Sequence, residues 1–191
     1  MLTAYYITEV EDQNLVSQLE SMEVGLNVSK AVKIPSDNSL LAIWAKTILE
    51  TERNNIDNND FVILDGNMND KFGYYMMLGM AIGKNSYKSS ITVLNDEFAN
   101  KILADIYLHR NLEHPRTEES IQVGSIDQTY YNQNLITFVA NNSVDSVRLN
   151  NNIDRKEPAV AILLGICYSR GIAVDYTPES YNLFIDLIVK R

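Results

Sequence analysis

Cysteine is almost missing from this chain of 191 residues. The single thiol, Cys167, excludes an internal disulfide and any multi-thiolate zinc site. Histidine is nearly as scarce, and His109 and His114 are too few for a histidine-rich metal centre. Positive charge is also short: 16 Lys+Arg stand against 25 Asp+Glu, for a formal net charge of -9. No run of Lys or Arg offsets this balance locally. Phosphate backbones are held by such side chains, so nucleic acid is not an expected partner. Four prolines and eight glycines leave no segment that reads as a linker. The longest apolar run, Ala159 to Tyr168, is interrupted by Gly165 and is too short to cross a bilayer. Met1 to Asp12 lacks the basic and apolar stretches of a signal peptide, so a cytoplasmic protein with no membrane contact is expected. P-loop, Gly-rich dinucleotide, serine-elbow and EF-hand patterns are all missing.

What is present is enough apolar material to fold. Hydrophobic residues make up 46% of the chain, and its length suits one domain or two small repeats sharing a core. Leu2 to Thr8 reads as a strand, and Asp12 to Met22 as a helix with Leu15, Val16, Leu19 and Met22 on one face. A second strand is expected over Val28 to Ile34, stopped by Pro35. Ser36-Asp37-Asn38 then caps a helix through Trp44 and Leu49 into the polar stretch Asn54 to Asn59. Phe61 to Leu64 is continuously apolar, as in a strand buried on both faces of a parallel sheet.

Further on, Phe72 to Lys84 reads as a helix, Ser90 to Leu94 as a strand and Asn95 to Leu112 as a helix. Strands are expected over Ile121 to Val123 and, strongly, over Asn134 to Ala140. Pro158 to Arg170 opens on a first-turn proline and is ended by Gly171. Ile172 to Tyr176 and Ser180 to Val189 complete the chain as strand and helix. Glu113 to Glu119 and Asn150 to Glu157 read as exposed loops. Alternating strands and helices predict an α/β fold: a doubly wound, mostly parallel sheet flanked by helices, flavodoxin-like or Rossmann-like.

A weak internal repeat is visible. Leu78-Gly79 within Met77 to Lys84 resembles Leu164-Gly165 within Leu163 to Arg170. A mid-helix glycine costs about 1 kcal/mol against alanine, so its recurrence points to close packing of helix on sheet in both places. Pseudo-repeats 1–95 and 96–191 are one reading; similar packing needs in two unrelated helices are the other.

In an open α/β sheet, ligands bind beyond the carboxyl ends of the strands. Asp65-Gly66-Asn67 stands there, and the loop to Phe72 feeds a helix N-terminus, which attracts anions and polar groups. The plainer alternative is that Asp65 and Asp70 cap loop and helix. Cys167 shares an apolar helix face with Val160, Leu163 and Leu164, so an inert buried thiol is expected.

From Trp44 to Lys84 the text resembles the nucleoside 2-deoxyribosyltransferase family. The matching features are Asn59-Asp60 before an apolar strand, the Asp65-Gly66 loop, and a helix with Gly73 and Leu78-Gly79-Met80-Ala81. The resemblance implies N-glycosidic exchange: a glutamate attacks the anomeric carbon of a 2-deoxynucleoside and displaces the base. It implies no metal or organic cofactor, and a homo-oligomer whose neighbours complete the site.

Residue by residue the match is mixed. Glu52 stands for the family's helical Asp, and Asp60 for the aspartate before the strand. Lys71 replaces an Asp, although Asp70 is adjacent. Met77 replaces the nucleophilic Glu, and Leu163 stands at the corresponding place in the second half. The loop after the first strand, Tyr5 to Val10, lacks the family's glycine. The expected cleft is formed by Asp65, Asn67, Asp70, Gly73 and Met77, with Glu52 and Tyr5 nearby.

Three readings follow. The favoured one is a nucleoside- or nucleotide-binding protein with impaired or altered chemistry, because methionine cannot form a glycosyl ester. The second is an active transferase or N-glycosidase using Asp65, Asp70 or Glu52 as a relocated carboxylate. The third is a non-catalytic interaction module, in which Tyr74, Tyr75, Tyr130 and Tyr131 serve contact or core roles.

Overall fold

The structure is a computed structural model that describes residues 1–29, 49–69, 71–84, 90–112, 117–123, 128–149 and 157–176. The helix expected from Ser36 is described only from position 49 on, with Glu50–Asn58 helical, while the expected helix over 180–189 and Asp70 lie outside the described residues. The described part is an α/β fold of parallel strands flanked by helices.

The first sheet runs in the order β2-β1-β3-β4, with β1 at Thr3–Ile7, β2 at Gly25–Ser29, β3 at Phe61–Asp65 and β4 at Ser90–Leu94. All three pairings are parallel. The central strands β1 and β3 are buried almost throughout, which explains their unbroken apolar text. The chain moves one way from β1 to β2 and the other way from β3 to β4. Right-handed crossovers therefore put the helix after β1 on one face and the helices after β2 and β3 on the other. Helix α1 (Gln13–Ser21) sets Leu15, Val16 and Leu19 against Ala4, Tyr6 and Ile63. Helices α2 (Glu50–Asn58) and α3 (Lys71–Gly83) cover the other face, over Tyr5, Ile7, Val62 and Leu64. The reversal between β1 and β3 is the point where α/β sheets open a crevice.

The remaining strands form a second parallel sheet in the order β5-β6-β7: Thr117–Val123, Ser143–Leu149 and Ala173–Tyr176. Helices α4 (Glu97–Leu112), α5 (Gln128–Asn141) and α6 (Pro158–Arg170) complete the described elements. α3 and α6 pack on each other within one core that reaches both sheets. Phe72 to Gly83 and Ala159 to Tyr168 are buried without a break. Neither helix could carry a polar face there, and neither sequence has one.

Several expectations are corrected. Asn134 to Ala140 is helical and belongs to α5. A short apolar run has no period that separates a strand from a buried helix, and here the helix wins because it packs Ile136, Val139 and Ala140 into the core. Ser143–Leu149 is a strand that its alternating polar text concealed. Thr117 to Glu119 lies in β5, not in a loop. The second strand spans Gly25–Ser29, starting before the expected Val28, and positions 30–34 lie outside the described residues. Among the described residues the parallel strands lie in two sheets. Gly79 and Gly165 meet each other, helix on helix, instead of each facing a sheet.

The helix signals read as expected. Asp12 caps α1 by accepting from the Asn14 and Leu15 amides at 2.9 and 3.3 Å. Gly171 ends α6 with a φ of 68°, a left-handed conformation that favours glycine.

Candidate functional site

Two polar assemblies border the first sheet. One sits at the carboxyl ends of β1, β3 and β4. Asp65 ends β3, and Thr8 follows β1. The Thr8 hydroxyl lies 2.9 Å from Asp65 Oδ2 and 2.8 Å from the Val10 carbonyl, and its one proton serves either. Asp65 Oδ1 accepts from the Asn67 amide at 3.0 Å and from Asn95 Nδ2 at 3.4 Å. Gly66 is needed here because a Cβ would lie 2.7 Å from the Asp96 Cβ and 2.8 Å from two backbone oxygens. Lys71 donates to the Gly66 carbonyl. Asn69 gives both its backbone and side-chain N–H to the Glu9 carboxylate, at 2.9 Å each. Tyr74 donates to Asp96 Oδ2 at 2.9 Å. Burial first, then the Asp96 charge, holds its phenol far above the ordinary range. Tyr74 is therefore a fixed donor. The carboxylates of this edge knot three strand ends together, and Asp65 has both oxygens engaged in that task.

The other assembly surrounds a cavity of about 670 Å³ between α2 and the face of β1 and β2. Residues alternate in direction along a strand, so Tyr5 points to α2 while Tyr6 points to α1. Glu52 and Asn55 of α2 and Asn59, which caps its C-terminus, follow at i, i+3 and i+7 and line the cavity together. Tyr5 donates its phenolic proton to Glu52 Oε2. Asn55 Nδ2 lies 3.4 Å from the same phenol. Asn59 Nδ2 donates to the Asn55 carbonyl at 2.6 Å, and Asn27 Nδ2 donates to Asn59 Oδ1 at 3.0 Å. Asn55 and Tyr5 thus donate in sequence toward the Glu52 carboxylate. Among the described residues the lining holds that one carboxylate and no Lys or Arg.

The site helix α2 is fastened at several points. Lys84 donates to the carbonyls of Ile56 and, at 3.0 Å, Asn59. A cation there matches the negative end of the helix dipole. Burial lowers the Lys84 pKa, while Asp57 and Asp60 oppose the shift. The Arg53 guanidinium lies over the Tyr168 ring of α6, 5.4 Å from its centroid. Just past α2, Asp60 accepts from the Thr3 amide at 2.8 Å and ties the site to β1.

The sequence-derived residues thus fall into groups. Tyr5 and Glu52 stand together, hydrogen-bonded, in the cavity wall. Asp65 and Asn67 stand together at the carboxyl edge. Gly73 and Met77 lie buried in α3, Met77 with 0% exposure. Asn27 and Asn55 were not singled out in the sequence, and Asn59 only as the residue before Asp60. The helical spacing of Glu52, Asn55 and Asn59 was the available signal for two of them. No group of three His, Cys, Asp or Glu side chains among the described residues is arranged to hold a metal ion. No described helix is long and apolar enough to cross a membrane. Comparisons with protein-family models, curated proteins and solved structures return no match.

Proposed function

We propose that this protein binds a nucleoside in the Glu52–Tyr5 cavity and does not transfer its sugar through position 77. The observation that carries the reading is the cavity itself. Its volume lies within the range of small-molecule sites. Its wall offers one carboxylate and several amides, groups suited to sugar hydroxyls and to the donor and acceptor edges of a base. A carboxylate in the wall would repel a phosphate, which favours a nucleoside over a nucleotide. Met77 is fully buried and has no nucleophilic oxygen, so it supports binding over covalent exchange. This reading carries with it a cytoplasmic location and a self-associating chain.

The test is isothermal titration with 2-deoxynucleosides and their monophosphates, beside a base-exchange assay with deoxyinosine and adenine. Binding of the nucleoside, weaker binding of the monophosphate and no exchange are expected. Glu52→Gln should weaken binding about tenfold or more by removing a charge-assisted acceptor. A chain that binds neither ligand refutes the reading. One observation favours a second reading: Glu52 lines the cavity, where a carboxylate can bond to an anomeric carbon as its glycosidic C–N bond breaks, the departing base taking a proton from water and an incoming base then displacing the carboxylate while giving its own N–H proton to solvent. Exchange that disappears in Glu52→Gln would establish that enzyme.

A further inference from the structure

Four features relate the first half of the chain to the second. First, a Cβ added to Gly79 would overlap the Ile162 carbonyl oxygen, and one added to Gly165 would overlap the Met76 carbonyl oxygen. Each added Cβ would also lie 2.9 Å from the other glycine's Cα. Gly83 likewise faces Ser169, Cβ to Cβ at 2.8 Å. The pairs Met76 and Ile162, Gly79 and Gly165, and Gly83 and Ser169 are separated by one constant number of residues. The helices therefore run in the same direction, and like positions meet across an axis between them.

Second, the same spacing takes Lys84 to Arg170. Lys84 closes the C-terminus of α2 through the Ile56 and Asn59 carbonyls. Arg170 closes the C-terminus of α5 through the Val139 and Ala140 carbonyls, at 2.8 and 2.9 Å. Third, those two helices end alike: Asn59 Nδ2 donates to the Asn55 carbonyl at 2.6 Å, and Asn142 Nδ2 to the Phe138 carbonyl at 2.7 Å. Fourth, three adjacent strands of the first sheet, β1-β3-β4, are ordered like β5-β6-β7, with β2 an addition at the first sheet's other edge.

We infer that the two halves are copies of one α/β module packed about an approximate two-fold axis through Gly79 and Gly165. The α3–α6 contact is then a self-association interface made internal, and the partner that fits the α3 surface is a second copy of the same module. The copies have diverged at the cavity. Matching Asn59 to Asn142 sets Leu135 and Phe138 of α5 opposite Glu52 and Asn55, and both pack against the apolar core. The second module supplies the partner surface, and the first keeps the polar wall.

Exchanging one axis-related pair in the full chain tests this. Gly83→Ser alone sets a side chain against Ser169, and against the Ile166 backbone at 3.0 and 3.1 Å. Ser169→Gly relieves only the first contact. The double variant G83S/S169G moves the serine across the axis. It can fit there only if Ile166 offers the seat that Met80, its axis mate, offers Ser169. Thermal melts should place G83S about 5 °C or more below the parent, and the double variant within about 2 °C of it. If G83S gives no soluble protein, the double variant should restore it. A double variant no better than G83S overturns the inference, and so does a G83S chain as stable as the parent.

Discussion

Gly79→Ala sets two opposed effects against each other, and the structure decides the sign. In an open helix the change would stabilise by about 1 kcal/mol, because alanine loses less backbone entropy. Here the new methyl would overlap the Ile162 carbonyl oxygen and stand 2.8 Å from the Ile162 carbonyl carbon. Both atoms are backbone within a buried helix, so no rotamer change makes room. The helices must separate by about 1 Å, enough for each facing atom pair to lose a quarter to a half of its dispersion energy. Met76, Met80, Ile162 and Ile166 are all 0% exposed and share that loss. Overpacking costs of about 1–3 kcal/mol are usual, and rigid backbone on both sides favours the upper end. The expected net effect is a loss of about 2 kcal/mol, read by urea denaturation monitored by circular dichroism. Gly165→Ala should cost a similar amount, since its methyl meets the Met76 carbonyl in the same way. A Gly79→Ala chain as stable as the parent, or more stable, would refute the helix-on-helix account.

Three further predictions concern buried polar groups and the buried thiol. Arg170→Met removes donors from the Gly83, Val139 and Ala140 carbonyls, which lie at 2.8, 2.8 and 2.9 Å. It should destabilise by about 3 kcal/mol or more, and a loss under about 1 kcal/mol in the same denaturation assay would contradict the cap. Stability should also fall in alkali. Burial pushes the Cys167 thiol up to about 12 from an ordinary 9.0, and raises the Tyr74 and Tyr75 phenols above their ordinary 10.0. Each raised group holds its proton longer when folded, so stability is intact below the unfolded pKa and is lost as pH rises above it. Melts should therefore begin to drop above about pH 9, and Tyr74→Phe should make the drop shallower. Cys167 should also resist thiol reagents at pH 8 until denaturant is added, and rapid labelling of folded chain would contradict its burial.

The legible parts of the sequence were those in which local text and burial agree. Phe61 to Leu64 is apolar without interruption because β3 is covered on both faces. Pro158 and Gly171 bracket α6 because helix ends have local backbone requirements. Asn134 to Ala140 misled because seven residues of mixed apolar text fit either period. Ser143–Leu149 was hidden because a half-exposed strand with Asp145 and Arg148 looks like a loop. Tyr5 and Glu52 were expected beside the cleft of Asp65 and Met77, and they line a separate cavity, because a strand's alternation and the placement of α2 cannot be read from local text.

By itself, then, the sequence determined the α/β class, the scarcity of thiol and imidazole ligands, and the recurrence of a mid-helix Leu-Gly pair. Those properties follow from composition and short-range periodicity. Tertiary structure alone decided why the glycines recur and where the carboxylates point. Gly79 and Gly165 meet only when two remote helices pack without room for a Cβ. Asp65 and Glu52 are both acidic residues beside the same sheet. Strand direction and helix placement turn one inward to tie β-strand ends and the other toward a cavity.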